Sequence, residues 1–367
     1  MSDPQHPEEY PAALKVVGVG GGGGNAVRHL LDTARLEGID VIGVNTDRQA
    51  LETLPQPAAL AIGGGTTHGL GAGADPEVGR QAAEESRDRL RARLAGADML
   101  FLMAGMGGGT GSGATPVIAE LAREMDLLTV AVVTRPFTFE GARRRQAAVA
   151  GIATLAERVD SLVVVPNDRL LPTLGPGASM MRAFAAVNEV LREAVSGIAE
   201  VITHPGLINI DFADVAAVMR HPGRARIGTG EGRGEARVEA AIQAAVEHPL
   251  LEATDLTEAA GVLVSITAGP DLSLAEFDEV GRRVAAFADA EARVVVGTAL
   301  DMAMQDSLRV TIVATGLAVA GDPQAPPAPS PRRRAPAAPA PPDTAPSTGN
   351  DTPELLDIND FLGRLKR

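Results

Sequence analysis

The chain has 367 residues, 45% of them hydrophobic, and a formal net charge of −14. That length accommodates two cores plus tails, and that charge argues against generic binding to nucleic acid or to an anionic membrane surface. With no cysteine present, disulfides, thiolate catalysis and cysteine-ligated zinc or iron–sulfur sites are excluded. Lysine usage excludes a further class. Only Lys15 and Lys366 occur, neither inside a glycine loop, so the chain is not a P-loop NTPase. Aromatic residues make up 2%, so the cores must be built from Val, Leu, Ile and Ala. Residues 1–11 are polar and acidic without a signal-peptide pattern, and no apolar run reaches the length of a membrane span. These features predict a soluble cytoplasmic protein with a disordered leader.

In chain order, Leu14 to Val19 reads as a strand, Gly20 to Asn25 as a glycine loop and Ala26 to Leu36 as a helix. The run Gly18-Val19-Gly20-Gly21-Gly22-Gly23 also fits the dinucleotide fingerprint. Asp40 lies about where the ribose-binding acid of such a fold would sit, so a dehydrogenase stays open at this point. Val41 to Val44 is a second strand, ending in Asn45-Thr46-Asp47. Those polar residues either line a crevice or cap a helix from Arg48 to Leu54. A second glycine-rich loop, Gly63 to Gly73, precedes a helix that starts at Asp75-Pro76 and runs to about Leu94.

The stretch around which the chain is organised comes next. The apolar run Met99 to Ala104 leads into Gly105-Met106-Gly107-Gly108-Gly109-Thr110-Gly111-Ser112-Gly113, and Ala114 to Glu124 reads as a helix. Strand, glycine loop and helix N-terminus make an anion site, because unpaired N–H groups and the helix dipole both face the ligand. Leu128 to Val133 is the next strand. Arg143, Arg144 and Arg145 then open a helix to Arg158, where three cations at an N-terminus imply either a bound anion or a solvated basic face. Ser161 to Val165 is a strand ending at Pro166-Asn167-Asp168. A long helix follows from Ser179 to about Thr203, its apolar residues at spacings of three and four. In Asn209 to Val215, Asp211 and Asp214 read either as helix caps or as a carboxylate pair able to activate water.

This alternation predicts an α/β fold: a doubly wound, mainly parallel sheet over 12–178, then a long central helix with its following loop over 179–221. A smaller α+β domain is expected over 222–320, from strands at Arg224 to Gly230, Gly261 to Ala268, Arg293 to Thr298 and Leu308 to Ala314, with helices from Gly234 to Glu247 and Leu274 to Ala288. The scattered histidines form no HExxH pair. Residues 321–351 are dominated by Pro and Ala and predict a disordered linker. Residues 352–367 regain a helical face from Leu355, Ile358, Leu362 and Leu365.

Taken together, Lys15 to Val27, Asn45-Thr46-Asp47, Gly107 to Gly113, Pro136-Phe137 with Phe139-Glu140-Gly141, Pro166-Asn167-Asp168 and Asn209 to Val215 resemble the tubulin/FtsZ superfamily, and within it the cell-division GTPases. The likeness covers about Leu14 to Thr315 and the tail. It implies binding of GTP and GDP, with Mg2+, and head-to-tail assembly of the chain with itself into protofilaments at the mid-cell division site. It places phosphate on Gly21, Gly22, Gly23, Gly24 and Asn25 and on Gly109, Thr110 and Gly111, and counts Asn45, Asp47, Gly105, Gly107 and Gly108 among the nucleotide-binding residues. Glu140 would meet the ribose and Arg144 the phosphate region, while Asn167, Phe184 and Asn188 would surround guanine. Asn209, Asp211 and Asp214 match the synergy loop that enters the next subunit's site, which makes them catalytic candidates. The stretch Leu356-Asp357-Ile358-Asn359-Asp360-Phe361-Leu362 resembles the superfamily's C-terminal peptide, with Asn359 in place of its usual Pro. That peptide implies membrane-tethering partners such as FtsA, SepF or ZipA. A tubulin-like filament protein of plasmid segregation is the alternative the tail and linker argue against.

Overall fold

A computed structural model describes residues 12–33, 38–175, 177–204, 206–221, 223–251, 256–289 and 291–317. The expected leader, linker and C-terminal peptide lie outside the described residues. The first half alternates β1 (Leu14–Val19), α1 (Gly20–Thr33), β2 (Ile39–Asn45), α2 (Arg48–Leu51), β3 (Ala59–Ala61), α3 (Gly64–Thr67), α4 (Pro76–Glu85), α5 (Arg87–Leu94), β4 (Met99–Gly105), α6 (Gly109–Glu124), β5 (Leu128–Arg135), α7 (Ala142–Ala156) and β6 (Ser161–Pro166). A single turn, α8 (Leu171–Leu174), leads to the long α9 (Met180–Thr203) and then α10 (Phe212–Met219). The second half comprises β7 (Arg224–Arg233), α11 (Arg237–Val246), β8 (Gly261–Ala268), α12 (Leu274–Phe287), β9 (Arg293–Leu300) and β10 (Ser307–Leu317).

The strand order is β3-β2-β1-β4-β5-β6-β7-β10-β8-β9. Every pairing from β3 to β6 is parallel. One pair, Val163 opposite Ala225, joins β6 to β7; β10 then runs antiparallel to both β7 and β8. The period-two alternation of buried strands sorts the side chains into two layers. Phe101 and Met103 of β4 face one side, against Val187, Leu191, Val195 and Ile198 of α9. Leu100 and Leu102 face the other, against α4 to α7 through Ala82, Leu90, Ile118 and Ile152. Leu263 of β8 and Val313 of β10 join the α9 layer, while Val262, Val264, Val310 and Ile312 pack with Ala241 of α11 and Val280 of α12. One face of α9 is therefore buried against strands of both halves of the chain.

The structure corrects several sequence boundaries. Helices α1 and α6 begin inside the glycine runs, at Gly20 and Gly109, and not after them. The helix expected from Asp75 to Leu94 is capped as expected, with Asp75 Oδ1 accepting the Glu77 N–H at 2.9 Å, but it breaks at Ser86. There the Ser86 hydroxyl accepts the Gly63 N–H at 2.9 Å. Within the stretch around the second glycine loop, β3 and α3 were not anticipated, and α2 ends at Leu51.

Candidate functional site

The carboxyl ends of β1, β4 and β5 open onto a cavity of about 290 Å³. Its floor is backbone. A Cβ on Gly18 would lie 2.2 Å from Gly23 O, one on Gly23 would lie 2.5 Å from Met103 O, and one on Gly111 would lie 2.3 Å from Gly105 O. Only glycine lets α1 and α6 approach the strand ends this closely. Two helix N-termini thus meet in one cleft, each with unpaired N–H groups and the positive end of its dipole. Gly21, Gly22 and Asn25 of α1 line it, together with Gly105, Gly108, Gly109, Thr110 and Gly111.

The walls come from four other elements. Glu140 and Arg144 line one side, paired at 2.7 Å, and Glu140 Oε1 also accepts the Phe137 N–H at 2.9 Å. Arg143 and Arg145 are exposed and make no ion pair among the described residues. Asn167 also lines the cavity; its Oδ1 is buried and has no hydrogen-bond partner among the described residues. Phe184 is 41% exposed and stands edge-to-face on buried Phe137, with ring centroids 5.5 Å apart. Asn188 completes this wall one helical turn further along α9. Met106, Thr134, Pro136, Val187 and Leu191 line the cavity as well. In the sequence, Val187 and Leu191 belong only to the apolar spacing of the long helix, although each sits within one turn of Phe184 or Asn188.

Other expected site residues do not line the cavity. Gly23 is buried beneath it, and half-buried Gly24 is not among its lining residues. Asn45 Oδ1 accepts the Asp47 N–H at 3.2 Å, and Asp47 caps α2 by accepting the Gln49 N–H at 2.9 Å. Gly107, at φ 101°, gives its N–H to Ser112 Oγ at 2.8 Å behind the rim. Asn209, Asp211 and Asp214 lie beyond the far end of α9. Asn209 Oδ1 accepts the Gly206 N–H at 3.0 Å, Asp214 pairs with Arg293 at 2.6 Å, and Asp211 stands at the α10 N-cap without a side-chain cap bond. From Asn188 to the α9 C-terminus the helix rises about 22 Å at 1.5 Å per residue.

Asp40 decides against the dinucleotide fingerprint. It starts β2, opposite Lys15, and pairs with Lys15 at 3.4 Å and Arg93 at 3.8 Å. At about 3.3 Å per residue it lies some 16 Å along the strand from the carboxyl end, where a ribose contact would be needed. Among the described residues no group of three His, Asp or Glu side chains is placed to hold a metal, and no helix is long and apolar enough to cross a membrane.

Comparison with known proteins agrees with this architecture. The model of the Tubulin/FtsZ family GTPase domain matches residues 13–175, and that of the FtsZ family C-terminal domain matches residues 223–318. The chain is 54% identical over 306 residues to the cell division protein FtsZ of Wigglesworthia glossinidia brevipalpis, covering 83% of this chain and 79% of that one. Among solved structures it is similar to an empty FtsZ dimer from M. jannaschii, with 40% identity, a TM-score of 0.79, and 84% and 89% of the two chains covered. It is also similar to CetZ2 from Haloferax volcanii, solved as a GTPγS-bound protofilament, with 26% identity, a TM-score of 0.70, and 83% and 93% covered.

Proposed function

Because the chain belongs to the tubulin/FtsZ family of GTPases, with relatives that are cell division proteins FtsZ, we propose that its cavity binds GTP and GDP and that copies assemble head-to-tail into the protofilaments of a mid-cell division ring. The observation that carries this reading is the construction of the cavity. Two helix N-termini over a glycine floor suit a polyphosphate, whose negative charge meets N–H groups already oriented toward it. At the other end, Asn167 offers a buried acceptor that a guanine N–H would satisfy, beside the Phe184 ring and the Asn188 amide. Glu140 is seated to accept from ribose hydroxyls, and Arg144 stands beside it for the phosphates. Mg2+ accompanying the nucleotide would take its ligands from phosphate oxygens and water, since hard cations of this kind need few protein ligands.

Hydrolysis needs a group that orients water and receives its proton. Asp211, Asp214 and Asn209 suit that role, but α9 holds them well away from their own cavity, which supports a site completed by the next copy in the filament. Exposed Leu207 and Ile208 beside them add an apolar surface for that contact. The filament would be tethered to the membrane through the C-terminal peptide, on partners such as FtsA, SepF or ZipA. Pelleting with GTP against GDP, with phosphate release followed in parallel, tests the reading. The rate per molecule should rise with protein concentration above a threshold, and Asp214→Ala should keep GTP binding while losing most turnover. A dilute, demonstrably monomeric sample that hydrolysed GTP at the full rate would overturn the shared site.

A further inference from the structure

A buried hydroxyl pair lies directly behind the cavity. Thr46 Oγ1, at the end of β2, is 2.7 Å from Thr110 Oγ1 in the first turn of α6. Thr46 is 1% exposed, and its hydroxyl has this one partner among the described residues. Thr110 is 8% exposed and lines the cavity. The rest of Thr46 is fixed as well: its carbonyl accepts the Gly71 N–H at 3.2 Å and the Thr67 hydroxyl at 3.2 Å.

Each hydroxyl has one proton, so only one of the two can donate across the pair. If Thr110 donated, the Thr46 proton would be buried with no acceptor, and an unmade bond of that kind is costly. If Thr46 donates, both groups are satisfied, because the Thr110 proton is left to face the cavity. We infer that Thr46 is a positioning residue: it donates to Thr110 Oγ1 and so turns the Thr110 proton toward an anionic oxygen of the bound ligand. The role rests on the reading of the cavity as a nucleotide phosphate site. It adds an oriented side-chain donor to the backbone N–H groups of the α6 N-terminus, with no side chain of Thr46 reaching the ligand.

The test is a double-mutant cycle on the full-length chain, with GTP and GDP affinities measured by calorimetry below the assembly threshold. Losing one oriented hydrogen bond corresponds to about a threefold to tenfold weaker affinity. Thr46→Val and Thr110→Val should each show that loss, the double variant should bind no more weakly than Thr110→Val alone, and Thr46→Ser should retain wild-type affinity. Should Thr46→Val fail to fold, Thr46→Ala replaces it, since it lacks the same hydroxyl. Losses that multiply in the double variant, unchanged affinity in Thr46→Val, or a Thr46→Ser as weak as Thr46→Val would each overturn the role. A wild-type chain that bound neither nucleotide would instead overturn the proposed function, and this role with it.

Discussion

Gly109 illustrates how a residue's reason can differ from its sequence reading. In the glycine loop it suggests room for phosphate, so that a side chain would displace the ligand. In the structure a Cβ there meets Ala72 Cβ and the Asp75 N and O atoms, each at 2.8 Å. The obstruction is the start of α4, and the cost is overpacking against backbone, about 1–3 kcal/mol. Gly109→Val should therefore lower the unfolding temperature as well as abolish nucleotide binding. Gly108 is the contrast: its added Cβ meets nothing within 4 Å, its φ is −93°, and it lines the cavity. Gly108→Ala should melt with the wild type yet bind GTP more weakly. Thermal melts beside calorimetry separate the two, and equal melting temperatures for both variants would contradict this assignment.

At the scale of elements, β1, β4, β5, β6 and α9 were legible because their apolar residues recur at the strand or helix period. The starts of α1 and α6 were not. Glycine disfavours helix by about 1 kcal/mol per residue, so a run of it reads as loop. Backbone packing of Gly18, Gly23, Gly105 and Gly111 overrides that preference, and it is invisible without the fold. The break at Ser86 and the three-residue β3 depend likewise on partners far away in sequence. Helix α12 shows legible capping with a measurable consequence. Ser273 and Glu276 form a capping box, and Glu276 also pairs with buried Arg237 at 2.6 Å. The Arg237 guanidinium holds the Glu276 carboxyl down at about 2, from an ordinary 4.5. A depressed carboxylate stabilises fully above its unfolded value, and that stability is lost as pH falls through the folded one. Between about pH 4.5 and 2 the fold should lose on the order of 1 kcal/mol from this group, given its partial exposure. Glu276→Gln should flatten that part of a pH series of urea unfolding curves. Asp271 is lowered by the same Arg237, so its contribution has the same sign.

For the whole molecule, the proposed assembly and anchoring roles fall in different parts of the chain. The cavity and the Asn209–Asp214 segment sit toward opposite ends of α9, whereas residues 352–367 follow a long Pro- and Ala-rich stretch. On the proposed reading, a short helix-competent peptide would gain its structure from the groove it enters, and a Pro- and Ala-rich linker would let it search without bending the filament. Deleting residues 351–367 should therefore leave GTP turnover and pelleting nearly unchanged while abolishing recruitment to membrane-bound partners, and Phe361→Ala should weaken it. Vesicle flotation with an anchored partner reads this out. Equal recruitment of the truncated chain would remove the tail from the account. Composition alone suggests this division of labour, whereas the pairing of Asp214 with Arg293 required the fold, since the two are distant in the chain.

The glycine floor also bears on drug resistance. An inhibitor that takes its contacts from the N–H groups around Gly20–Gly24 and Gly108–Gly111 binds atoms that every residue except proline carries, so most substitutions there leave them in place. At Gly23 and Gly111 a side chain would strike backbone at 2.5 and 2.3 Å, so escape by blocking the floor disables the protein itself. Escape is left to positions where a side chain finds room, the walls at Phe184, Asn188 and Arg144 and the lining glycines Gly21 and Gly108, where an added Cβ meets nothing within 4 Å.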